Sequence, residues 1–201
     1  MKKTITRTPY HHGDLRQTLI AAATELLLTE GIDGLSLRKL AERVGVSRTA
    51  PYHHFKDKGQ LLSAIAAEGF RQRTEQAQRL FEDDSLSAEL RFSLFFRDYI
   101  AFATASAPMY ELMFGSPIWH NQQQTEELKQ AAYPCFAQQL EMTKQWQAQG
   151  LLPAEQSPLR LAQVIWGAMH GIARLVNDGI YADASHVGEM IDCAVALFVR
   201  R

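Results

Sequence analysis

Almost every stretch of this sequence repeats its apolar residues at helical spacing, and none alternates apolar with polar residues convincingly enough for a strand. That periodicity predicts an all-α architecture of about nine helices. Leu15, Leu19, Ala22, Ala23, Leu26 and Leu27 make one stripe, and Gly31 stands where a left-handed residue would end that helix. Ser36 reads as the N-cap of a short helix with Leu37, Leu40, Ala41 and Val44 on its inner face, and Gly45 breaks it. Ser47 is placed to cap another short helix reaching about His54. Asp57 and Gln60 then form a near capping box for a longer helix that carries Leu61, Leu62, Ile65, Phe70 and Phe81.

Past the polar run Glu82-Asp83-Asp84-Ser85, a helix starting at Ser87 puts Phe92, Phe95, Phe96, Tyr99 and Phe102 on one face. Pro108 and Gly115-Ser116-Pro117 bracket a short helix. A long one follows from about Gln123 to Gln149, stopped at Gly150, and Pro134 inside it removes a backbone donor and should kink it. Ser157-Pro158 opens the next helix, which runs to Asn177-Asp178-Gly179, and a last helix spans residues 185–200. The expected organisation is a head over residues 13–60, a linking helix over 58–81 and a helical body over 82–201.

With 46% apolar residues the body can fill a real core. The net charge of −1 hides a split: residues 1–60 hold ten Lys/Arg against six Asp/Glu, and the rest hold eleven against sixteen. A modestly basic head on an acidic body suits one nucleic-acid surface. No apolar run approaches the ~18 residues of a membrane span, and Met1-Lys2-Lys3 leads into polar residues and not a secretory leader. Cys135 and Cys193 lack metal-ligand spacing and read as buried small hydrophobes of a reducing compartment. The pairs His11-His12 and His53-His54 point about 100° apart on a helix and lack a third ligand, so no metal is expected. No nucleophile, Gly-rich phosphate loop or carboxylate pair surrounds His170, so neither a catalytic residue nor a cofactor is expected.

The chemistry concentrates in residues 36–58, SLRKLAERVGVSRTAPYHHFKDK. Two short helices joined by a tight glycine turn make a helix-turn-helix, whose second helix can enter a major groove. Gly45 supplies the positive φ of the reversal, and Leu40, Ala41, Val44 and Val46 pin the two helices together. Ser47 opens the second helix, and its first turn offers Arg48, Thr49 and Ala50 to base edges. Tyr52, His53 and Lys58 face phosphates, while helix N-termini at Ser36 and Lys58 add N–H donors.

The run GDLRQTLIAAATELLLTEGIDGLSLRKLAERVGVSRTAPYHHFKDKGQLL resembles the DNA-binding domain of TetR-family regulators. The resemblance rests on Glu30-Gly31, Leu40-Ala41 with Gly45-Val46-Ser47, and Tyr52-His53-His54-Phe55 followed by Lys56-Asp57-Lys58. It implies phosphate contacts at Ser36, Tyr52, His53 and Lys58, and base contacts chiefly at Arg38, Arg48 and Thr49. Pro51 departs from many relatives; at the fourth helical position it should cost one weak terminal bond. The lead-in Tyr10-His11-His12-Gly13-Asp14-Leu15, with Ala50-Pro51-Tyr52, resembles one branch of the family, whose body carries a Trp-x-x-x-His-Gly signature, here Trp166 to Gly171.

The aromatic stripe fits either a packed core or a cavity wall. The resemblance favours an effector cavity lined by Phe95, Tyr99, Tyr110, Met113, Phe114, Trp119 and Trp166; His170 reads either as a satisfied core or interface histidine or as a hydrogen-bond partner of the effector in that cavity. Ala162, Gly167, Ala168, Gly171 and Ala173, then Gly188, Ala194 and Ala196, permit close helix approach, and by resemblance the last two helices form a homodimer. The resemblance as a whole implies a cytoplasmic dimeric repressor on a palindromic double-stranded operator, released by an unknown small apolar or amphipathic effector, with no membrane partner. The competing readings are an activator or a ligand-independent regulator, and, further off, a helical enzyme or carrier with a structural helix-turn-helix.

Overall fold

The computed structural model describes residues 15–119, 124–181 and 184–200, and these are all-α. The helices are α1 (Leu15–Glu30), α2 (Leu37–Val44), α3 (Lys58–Phe81), α4 (Ala88–Ala105) and α5 (Ala107–Phe114). After these come α6 (Ser116–Trp119), α7 (Glu126–Ala148), α8 (Pro158–Asn177) and α9 (Val187–Phe198). Single 3-10 turns at Ala50–His53 and Ala184–His186 complete the order. The Tyr10–Asp14 lead-in, with the His11-His12 pair, and the expected helix start at Gln123 lie outside the described residues.

Capping chemistry sets most boundaries. Ser36, in extended backbone, accepts the Lys39 N–H at 3.2 Å, and Gly45 closes α2 at φ 76°, where a side chain would be strained. Asp57 accepts the Gln60 N–H at 2.9 Å, and the Gln60 side chain answers by accepting from Lys56 N at 2.9 Å, one residue earlier than a standard capping box. Ser87 and Thr125 cap α4 and α7 in the same way. Pro158 opens α8, where its missing donor has no partner to lose, and Ser157 makes no side-chain cap bond. Pro134 lies inside α7.

Two buried clusters hold the molecule. The first joins Leu19, Leu40, Phe55 and Ile65 of the first helices to Leu112 and Met113 of α5 and Leu128 of α7. Arg16 Nη2 reaches Glu127 Oε2 at 2.5 Å across the same seam. The second cluster is aromatic: Phe92 and Phe96 of α4 are fully buried, and the Trp146 indole of α7 packs edge-on against Phe81 and Phe92. Each such ring pair contributes roughly 0.5–1.5 kcal/mol beyond its buried area. Ile165 and Met169 of α8 and Ile191 and Val195 of α9 close this core.

The cysteine expectation is corrected. Cys193 is exposed on α9 and Cys135 is half-buried on α7. Small apolar volume does not by itself bury a side chain whose helix face points outward.

Candidate functional site

The stretch after α2 differs from the expected α-helix capped by Ser47. Residues 48–49 form a turn and Ala50–His53 a single 3-10 turn, held by Ala50 N to Ser47 O, Tyr52 N to Thr49 O and His54 N to Pro51 O at 3.0–3.1 Å. Ser47 Oγ pairs with Thr49 Oγ1 at 3.1 Å and leaves the backbone uncapped. Pro51 accounts for this: it disfavours α geometry at Ala50 and its ring crowds the carbonyl four residues back. It therefore falls in the first turn, not at a fourth helical position, and its ring is buried. The reversal itself stands, anchored by buried Leu40, Ala41 and Phe55.

Ser36, Arg38, Ser47, Arg48, Thr49, Tyr52 and His53 are all exposed, while Ala50 and Lys58 are half-buried. Tyr52 is 57% exposed, a large aromatic ring left in water. Sequence reasoning missed Glu42. Its Oε1 lies 3.4 Å from Arg38 Nε and 3.7 Å from Arg48 Nη2, so one carboxylate gathers two arginines from either side of the turn. The Arg38–Glu42 half was readable as an i,i+4 pair; the Arg48 half needs the folded turn. Arg43 pairs with Glu25 at 2.9 Å, and Lys39 with Glu30, tying α2 to α1.

In the body, α3, α4, α7 and α8 enclose a cavity of about 330 Å³. Phe95, Tyr99, Phe114, Trp119, Trp166 and His170 stand in its wall. Tyr110 and Met113 sit behind it: Tyr110 is buried with its hydroxyl 2.5 Å from His170 Nδ1, and Met113 fills the space over Gly69. A Cβ at Gly69 would meet Met113 Sδ at 2.7 Å, so the methionine side chain would have to shift. The wall also includes Phe70 and Arg73 of α3, and Cys135, Phe136, Gln139 and Met142 of α7, none of which was anticipated. The α7 residues recur at helical spacing, but interleaved glutamines hide the stripe.

The Trp166 Nε1–H donates to Tyr99 Oη at 3.2 Å, and Tyr99 Oη lies 3.4 Å from His170 Nδ1. Nδ1 is thus the ring nitrogen engaged by both hydroxyls, Tyr110 at the shorter distance. Burial pushes Tyr99 well above its ordinary value and Tyr110 up to about 12, so both hydroxyls keep their protons. Burial, helped by the nearby Arg174 charge and opposed by Glu111, lowers His170. A His whose pKa is depressed by folding stabilises the fold above its unfolded value of about 6.5 and loses that contribution as pH falls through the folded value. The wild type should therefore lose more melting temperature on acidification from about pH 7 to pH 5 than His170→Gln. Equal losses in thermal melts would mean that His170 is not the titrating group.

An exposed helix-turn-helix on a helical body defines a class, the DNA-binding regulators. Known proteins narrow it. Residues 19–65 match the bacterial regulatory proteins of the tetR family, and residues 92–198 match the tetracyclin repressor-like C-terminal domain. The class A tetracycline repressor of transposon 1721 from Escherichia coli is 55% identical over 49 residues, 24% of this chain and 23% of that protein. The chain thus matches only about a quarter of the length of such curated relatives. A Rhodococcus protein of unknown function shares 34% identity over 96% of this chain and 97% of its own, with a TM-score of 0.82. A putative TetR-family regulator from Vibrio parahaemolyticus shares the fold at 19% identity, covering 92% and 99% of the two chains, with a TM-score of 0.66. The chain belongs to the TetR family of DNA-binding transcriptional regulators.

Proposed function

We propose that this protein is a homodimeric repressor that grips a palindromic operator through residues 13–60 and releases it when a small apolar or amphipathic molecule enters the cavity. The carrying observation is α3, which runs unbroken from Lys58, beside the exposed reading turn, to Phe70 and Arg73 in the cavity wall. The fifteen steps from Lys58 to Arg73 rise about 22 Å, so motion of the wall is delivered to the head by a rigid rod. The effector need only bind the DNA-incompetent spacing better, by roughly 1–3 kcal/mol. The curated relatives are named tetracycline repressors, which supports repression over activation.

In this reading Arg38, Arg48 and Thr49, flanked by Ser47 and Ala50, read bases, and Ser36, Tyr52, His53 and Lys58 hold phosphates. Among the described residues no helix is long and apolar enough to cross a membrane; the proposed site of action is the cytoplasm. Dimerisation is assigned to α8 and α9, whose outer face keeps Val164 and Leu197 in water.

Lys58→Ala tests the phosphate role. Gel shifts across salt concentrations should show weaker binding to every sequence and a salt slope flatter by about one unit. An unchanged slope would remove Lys58 from the phosphate set.

A further inference from the structure

Resting on the reading of the cavity as an effector site, we propose that it selects ligands with an apolar body and a single acidic group, and that Arg73 receives the acid. Arg73 is the charged residue of the cavity wall, and among the described residues no carboxylate lines that wall. The residue is only 6% exposed, yet it is not sealed in a closed ion pair. Its Nη1 reaches Asp98 Oδ2 at 2.5 Å and Gln76 Oε1 at 3.3 Å, and neither partner lines the cavity. Among the described residues the Nε and Nη2 donors have no hydrogen-bond partner, and neither is a sealed, unsatisfied atom.

Nε–H and one Nη2–H form a parallel pair along one edge of the guanidinium, the edge that matches the two oxygens of a carboxylate. Asp98 therefore engages Arg73 at Nη1 and leaves the carboxylate-matching Nε–Nη2 edge without a partner, on a side chain that lines the cavity. Phe102 and Tyr99 fix the group further, with its carbon 5.0 Å and 5.9 Å from their ring centroids.

Two other polar side chains of the wall are already engaged. Gln139 Nε2 already donates to the Ala162 carbonyl at 3.1 Å, and the Gln138 amide donates to Gln78. The rest of the wall is largely aromatic, with Phe70, Phe95, Phe114, Phe136 and Trp166 offering flat apolar faces. Such rings alone would also suit a cation. A buried guanidinium with no lining carboxylate opposes one, and a charge-assisted bond to an anion is stronger than one to a neutral acceptor. At about 330 Å³ the cavity is at the small end of ligand sites, which limits the body to one or two fused rings or a short chain.

Isothermal titration of the full chain with three isosteric probes tests this: 1-naphthylacetate, 1-naphthylacetamide and 2-(1-naphthyl)ethylammonium. The acetate should bind about tenfold or more tighter than the amide, with the ammonium weakest. Arg73→Gln should erase the preference for acetate. Because removing Arg73 also strands Asp98, Asp98→Asn provides a second arm that keeps the guanidinium and weakens its Nη1 partner. That variant should bind acetate at least as tightly as the wild type while leaving the amide unchanged. Amide or ammonium binding as well as acetate would overturn the acid preference while leaving the cavity an effector site. Weaker acetate binding in Asp98→Asn would overturn Arg73 as the receiver. Failure of all three probes would sink the effector reading together with this proposal.

Discussion

Replacing Arg48 and Thr49 together by alanine should abolish the preference for the operator over random DNA while leaving salt-dependent, non-specific binding in place. A bidentate arginine–guanine contact discriminates by roughly 1–3 kcal/mol, and a dimer makes each contact twice, so the expected loss is roughly 2–6 kcal/mol. Both side chains are exposed and alanine adopts turn backbone without strain, so the fold should not suffer. The Arg48–Glu42 pair that disappears is an exposed one at 3.7 Å, the kind that contributes about 0–1 kcal/mol.

Glu42 supplies the internal control. Its carboxylate gathers Arg38 and Arg48 in the free protein, and in the proposed reading DNA competes with it. Glu42→Gln should raise affinity for all DNA and blur specificity by a smaller factor, because it frees the arginines without removing their base-matching forks. Operator fragments selected from the source genome, compared with random duplex in gel shifts, provide the measurement. A double alanine variant that still prefers its operator would show that the bases are read elsewhere.

The helices were legible because each carries its own signals. The apolar stripe of α1 with Gly31, the Ser36 and Asp57 caps and the Ser157-Pro158 start are local features, and local features survive into the fold. The reading turn was not fully legible, because Pro51 acts on its neighbours' backbone. Its ring is buried in the folded turn, an environment that spacing alone does not reveal. The cavity was half legible. Phe95 and Tyr99 belong to an aromatic stripe that could as well have been core, and its other members Phe92 and Phe96 are core. What separates the two pairs is the packing of α7 and α8 against α4, which periodicity does not encode. Arg73 was invisible for the same reason: on a helix with many charged residues, nothing in its spacing marks the one that turns inward.

The second large effect concerns the dimer. Val164 on α8 and Leu197 on α9 are 58% and 80% exposed, and a Cβ at Gly167 or Gly171 would meet nothing within 4 Å. A lone chain gains nothing from an apolar, small-residue face turned to water, whereas a second copy brought against it gains close helix approach and the burial of both leucines. Val164→Glu with Leu197→Glu would place four carboxylates in a two-fold interface, where each must be desolvated without a partner. Sedimentation velocity should then show a monomer. Affinity for the full operator should fall about 10²–10⁴-fold, the range lost when two linked modules act singly, while affinity for one half-site stays near that of a single head. The substituted positions are exposed in the single chain, so the helical signal and the two buried clusters should persist in circular dichroism. A variant that remains a dimer would move the interface off α8 and α9. A monomer that keeps full operator affinity would remove the need for a dimer in the repression mechanism.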